Sequence, residues 1–225
     1  MQPAKLCLAA ACIVAAAPAR LPAQRFEGVI QFLTYDKHSD QPDTMTQFTR
    51  GGKIRFDGLG KSGGAMIING DNRIMLMPER KQYMDVPANL GEGAAAAEAA
   101  KHRGTAEKTG KTETIAGVPC TDWHYRSTKA DGSADEGEVC IAQGVGLMIN
   151  QISGGMAAHM FTAGGDAFAA AMASGAGVMK VTTNGKLSLI AVNVKATSVP
   201  EAIFVAPPDY TKLDMGSMRG PPRKP

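Results

Sequence analysis

The chain has 225 residues, with 24 Lys and Arg set against 21 Asp and Glu. A balance this close to neutral supplies no basic face for a nucleic-acid backbone. No segment offers the ~20 consecutive apolar residues that a bilayer-spanning helix needs.

The first residues follow the order of a secretory signal. Residues 1–5 carry one positive charge, residues 6–17 are an unbroken apolar run, and residues 18–23 hold two prolines and end on Ala23. Cleavage is expected after Ala23, making residues 1–23 a signal peptide and the periplasm the expected address, with secretion or a peripheral place on the envelope as variants. An acylated Cys12 after Ala10-Ala11 would leave too short an apolar core ahead of the cysteine. Cleavage removes Lys5 and Arg20 but no acid, so 24 basic residues become 22 against 21 acids. Cys7 and Cys12 depart too, and the remaining pair, Cys120 and Cys140, is expected to form a disulfide in an oxidising compartment.

Residues 24–213 read as one domain. Strands are expected at 26–35, 44–49, 53–57, 65–69, 73–77 and 82–86, separated by turn residues such as Gly51-Gly52 and Gly70-Asp71-Asn72. Lys53, Arg55 and Asp57 alternate with Ile54 and Phe56, the period of a strand with one wet face. Residues 88–103 are Ala-rich and predict a helix laid across the sheet or a flap. Strands resume at 108–115, 120–128, 136–142 and 147–153, and a hairpin tip at 130–133 places Cys120 and Cys140 on neighbouring antiparallel strands. Residues 156–172 predict a second helix, interrupted by Gly164-Gly165. The Asn184-Gly185 turn joins strands at 178–183 and 186–195. Residues 204–210 close the domain, and 214–225 form a disordered Pro- and Arg-rich tail. The fold class expected is mainly β (α+β), a curved antiparallel sheet or incomplete β-barrel with one or two helices on its open or concave face.

Several phrases occur together: Phe26-Glu27-Gly28, then Gly52-Lys53-Ile54-Arg55-Phe56-Asp57, then Tyr83 after Pro78-Glu79-Arg80-Lys81. The most specific runs from Gly110 through Ile115-Ala116-Gly117-Val118-Pro119-Cys120 to Trp123, followed by Glu138-Val139-Cys140 and by the stretch from Phe204 to Tyr210. In these the chain resembles the exported bacterial proteins grouped as domain of unknown function 4412. That resemblance implies no activity and no catalytic residues. The pattern is also similar, in architecture alone, to periplasmic half-barrels such as the lipoprotein carrier LolA and the receptor LolB.

Each candidate site has a plainer competitor. Cys120 and Cys140 lack Cys-x-x-Cys spacing and a further thiolate or imidazole nearby, so a structural staple is preferred to a redox or zinc site. Met156, His159 and Met160 would share one helix face and form a soft copper(I) ligand set. Methionines also recur at Met75, Met77, Met84 and Met148, which reads as general apolar filler. Met156, Met160, Phe161, Phe168 and Met172 are the candidates for an apolar groove, with ordinary helix-to-core packing as the plainer competitor. Gly58-Leu59-Gly60-Lys61-Ser62-Gly63 imitates a phosphate loop, but Arg55 stands where the motif needs Gly, so it is a turn. Neither a Gly-x-Ser-x-Gly elbow nor a zinc-protease spacing is present, and His38, His102, His124 and His159 show no catalytic pairing.

The functional expectation is therefore a non-enzymatic periplasmic binding, carrier or chaperone-like protein. Its expected partner is a lipid, a lipoprotein or another apolar ligand, with no cofactor, metal, nucleic acid or transmembrane anchor. The alternatives are an envelope structural or stress protein acting through a protein partner, and a periplasmic copper-binding protein.

Overall fold

A computed structural model describes residues 26–36, 41–87, 103–128, 132–146, 170–171 and 174–213. Among them, strands dominate: β1 (Gly28–Thr34), β2 (Asp43–Arg50), β3 (Lys53–Leu59), β4 (Gly64–Asn69), β5 (Asn72–Met77), β6 (Gln82–Asp85), β7 (Arg103–Ile115), β8 (Val118–Thr128), β9 (Ala134–Ala142), β10 (Gly177–Thr183), β11 (Lys186–Ala196) and β12 (Thr211–Lys212). Two short 3-10 turns, Pro78–Arg80 and Glu201–Phe204, punctuate the chain.

All twelve strands lie in one open sheet, in the order β12-β6-β5-β4-β3-β2-β1-β11-β10-β9-β8-β7. It is two meanders, β1 to β6 and β7 to β11, sewn together by the antiparallel pairing of β1 with β11. The chain leaves β6 near one edge and re-enters as β7 at the other. The sheet is curved, and β7 swings back within reach of β11 although three strands separate them.

Strand alternation builds two apolar layers. Ile30, Phe32, Ile54 and Phe56 from the first meander share a buried cluster with Trp123, Val139, Val181 and Ala191 from the second. The opposite face of the first meander carries a second cluster, in which Ala65, Ile67 and Leu76 meet Val199 and Phe204 from the C-terminal segment. That segment is held from below by cations of β2 and β3. Arg50 donates to the Val199 carbonyl, Arg55 donates to the Ile203 carbonyl at 3.0 Å, and Lys53 pairs with Glu201. One glycine is dictated by the packing: Gly58 has φ +83°, and a Cβ there would stand 2.2 Å from the Thr44 carbonyl oxygen.

The curved antiparallel sheet matches the expected class, with differences. β7 starts at Arg103, inside the stretch expected to be helical, because β8 runs on to Thr128 and offers Arg103 a partner. A register shift between Lys108 and Thr112 lets that long strand continue. β12 was not anticipated and runs parallel to β6, pairing Thr211 with Gln82 and Lys212 with Tyr83. The expected helices and the strand at 147–153 lie outside the described residues, apart from Ala170 and Ala171, which are helical.

Candidate functional site

Directly opposed residues in a sheet share a face. One such row crosses the whole first meander: Ile30 opposes Gln47, Gln47 opposes Phe56, Phe56 opposes Met66, Met66 opposes Met75, and Met75 opposes Met84. Burial changes along it. Ile30, Gln47 and Phe56 are each 0 % exposed, whereas Met66, Met75 and Met84 are only half-buried. The row therefore begins in the core and ends, at β4 to β6, in partly buried thioethers, of which Met66 still packs against the core. Methionine is flexible and polarisable, and such surfaces adapt to apolar partners of varied shape.

Gln47 is the anomaly in this row. Its Nε2 donates to Thr49 Oγ1 at 2.9 Å and to the Gly146 carbonyl at 3.4 Å. A carbonyl only accepts, so the amide nitrogen has to face Gly146, and the orientation of the group follows. Its Oε1 is buried without a hydrogen-bond partner. Such an orphaned acceptor costs about 1–3 kcal/mol.

A second cluster surrounds the disulfide. Cys120 and Cys140 are bonded, with Cα atoms 5.4 Å apart, on adjacent strands β8 and β9 as expected. Asp122 and Lys180 oppose Cys140 from either side, and Glu113 opposes Cys120. Lys180 Nζ reaches over to Glu113 Oε1 and forms an ion pair. Asp122 is 2 % exposed. Loss of hydration, followed by the neighbouring Glu113 carboxylate, pushes its acid group above the usual aspartate range. The hydrogen bond from Lys180 holds Glu113 below the usual glutamate range. One lysine thus serves two neighbouring carboxyls, a structural charge cluster beside the cystine.

Cavities on the opposite face are modest. One of ≈ 220 Å³ lies under the C-terminal segment, between Phe48, Arg55, Val199 and Ile203. Another, of ≈ 400 Å³ and more polar, lies near Asn69, Asp71, Arg73 and Asp85. Among the described residues no three His, Cys, Asp or Glu side chains gather as a metal site, and no helix is long and apolar enough to cross a membrane.

The groove candidates Met156, Met160, Phe161 and Phe168, with Met172, lie outside the described residues, as do His159 and the copper set it completed. Trp123 is buried at 3 % exposure, with Lys108 Nζ 5.2 Å from its ring centroid, while His124 is exposed. The Gly58 to Gly63 stretch ends β3 and turns into β4. The methionine row went unseen in the sequence because Met66, Met75 and Met84 become neighbours only through strand register.

The profile of a protein family described as Domain of unknown function (DUF4412) matches residues 26–210. The chain belongs to this family. The match takes in eleven of the strands, β1 to β11, with the C-terminal segment up to Tyr210, and so both faces of this DUF4412 sheet. No curated protein matches the sequence. Among solved structures the DUF4412 chain is similar to one titled "Structure of PNGF-II in C2 space group", at 11% identity and a TM-score of 0.44. The similarity covers 84% of this chain and 31% of that one.

Proposed function

We propose that this DUF4412 domain is a non-enzymatic binding module of the periplasm that takes an apolar ligand, a lipid or the acyl part of a lipoprotein, against its curved wall. The observation that carries this reading is the half-buried row Met66, Met75 and Met84, aligned with the core residues Phe56 and Ile30. A ligand lying along the row would extend the core outward and bury methionine surface, at roughly 25 cal/mol for each Å² removed from water. Export is supported by the order of parts in residues 1–23 and by a family match that begins at residue 26.

The test is native mass spectrometry of the cleaved protein from its own envelope, paired with titration of a fluorescent apolar dye. Retained lipid and saturable dye uptake are expected. Met75→Glu, which sets a charge in the middle of the row, is expected to weaken uptake at least tenfold while the melting temperature shows the fold intact. Absence of both lipid and dye binding would remove the proposal. The reading as an envelope protein acting through a protein partner is favoured instead by β7, a 13-residue strand at the end of the sheet; recovery of one stoichiometric protein partner without lipid would select it.

A further inference from the structure

We infer that the cavity at the turn end of the β4–β5 hairpin is a second binding site, shaped for a neutral, hydroxyl-rich ring such as a saccharide unit. It lies on the face away from the methionine row and stands independently of that reading. Strand register places it. Met66, Met75 and Met84 oppose one another on one face, so Ile67, Ile74 and Asp85, which also oppose one another, occupy the other.

On that second face the side chains run from apolar to polar towards the hairpin turn. Ala65 opposes Leu76, which opposes Tyr83; the next row is Ile67, Ile74 and Asp85; the last is Asn69 opposite Asn72. The C-terminal segment packs on the apolar end, where Phe204 joins Ile67 and Leu76 in a buried cluster. The next residue, Val205, is 54 % exposed, one of two large apolar side chains so exposed among the described residues. The space between has a volume of ≈ 400 Å³, within the range of small-molecule sites. An apolar cavity of roughly 150 Å³ admits benzene, so this one has room for about two six-membered rings.

The lining selects the ligand. Buried Ile67 and Phe204 with Ile74 form an apolar floor, and the exposed Asp71, Asn72 and Asp85 with half-buried Asn69 form a polar rim. Lys212 pairs with Asp85 and Arg73 borders the cavity, so two cations offset the two carboxylates and leave no net charge to draw an ion. Amides donate and accept while carboxylates accept, which complements a set of hydroxyls. The floor and Val205 meet the C–H face of a ring. A plain hydrocarbon would cover the rim without pairing it, at a desolvation cost.

The experiment is amide-resolved NMR titration of the cleaved full-length protein with maltose, lactose and chitobiose, and with putrescine and citrate as charged probes. At least one disaccharide is expected to bind saturably in the millimolar range and to shift the amides of residues 69–74, Asp85 and Val205. Asp71→Ala and Asn72→Ala, both at exposed turn positions, are each expected to weaken it about tenfold, while the apolar dye binds as before. Absence of saturable shifts with every disaccharide, shifts confined to other residues, unchanged affinity in both variants, or binding of a charged probe alone would overturn the site. A disaccharide bound at this hairpin without dye uptake would uphold it and remove only the apolar reading.

Discussion

Asp122 shows how much a single side chain changes once its neighbours are known. Its pKa is raised in the folded state, so its contribution to stability is present at pH below the ordinary aspartate range and is lost as pH climbs through the raised value. Glu113 behaves oppositely: its contribution is present above the ordinary glutamate range and is lost as pH falls through the lowered one. The stability drawn from the pair is therefore greatest in the window between these two losses. Asp122→Asn is expected to gain thermal stability relative to wild type as pH rises above that window, and to lose the advantage in acid; melting curves across pH decide it. Lys180→Met is expected to destabilise by roughly 1–2 kcal/mol, since it leaves a part-buried Glu113 without its cation. The alternation in the sequence does put Asp122 on the face of Cys120, two residues on, so a buried cystine there already implied a buried acid. Gln47 gave no such sign, because its full burial and its bond to the Gly146 carbonyl, 99 residues on, arise only in the folded sheet.

Individual strands were legible where a tight turn and a two-residue period coincided, as in the hairpins of β2 with β3 and β10 with β11. Legibility failed where pairing overrides composition. Arg103 to Glu107 looks polar and irregular, yet it extends β7 because β8 lies ready to pair. β12 is two residues long and owes its strand geometry to Lys81 and Tyr83, whose carbonyls accept from Thr211 and Leu213. At this scale the disulfide ties β8 to β9 across a sequence separation of 20. Replacing both cysteines by Ala is expected to cost about 3 kcal/mol in denaturant unfolding. Gly58→Ala is expected to cost at least 1–2 kcal/mol, because the left-handed backbone and the Thr44 carbonyl leave no room for a methyl group.

For the whole molecule, the sheet has two faces that are covered differently. On one, the C-terminal segment covers the first meander and closes its surface with Val199 and Phe204, each 1 % exposed. Phe204→Ala is expected to cost about 3–5 kcal/mol by urea titration, the range for emptying an aromatic site in a packed core. The other face joins the two meanders through a shared core and leaves methionine at its rim. The sequence suggested a curved wall, which the sheet is, and an adaptable apolar lining in residues 156–172, of which Ala170 and Ala171 alone are among the described residues. Periodicity in one segment can reveal an amphipathic helix, while a row drawn from six strands is visible only after the chain has been paired.

The pairing of β1 with β11 also governs when this protein can be complete. β1 is made before every other strand of this sheet, and its second neighbour, β11, after all of them but β12. Until β11 arrives, one flank of a hydrophobic strand presents unsatisfied amides to any passing chain. Closure across so long a sequence gap is entropically slow, and pulsed hydrogen exchange during refolding should find the β1 amides that face β11 among the last to gain protection. The same seam that makes two hairpin stacks into one wall thus opens an interval of vulnerability to self-association in every newly made copy.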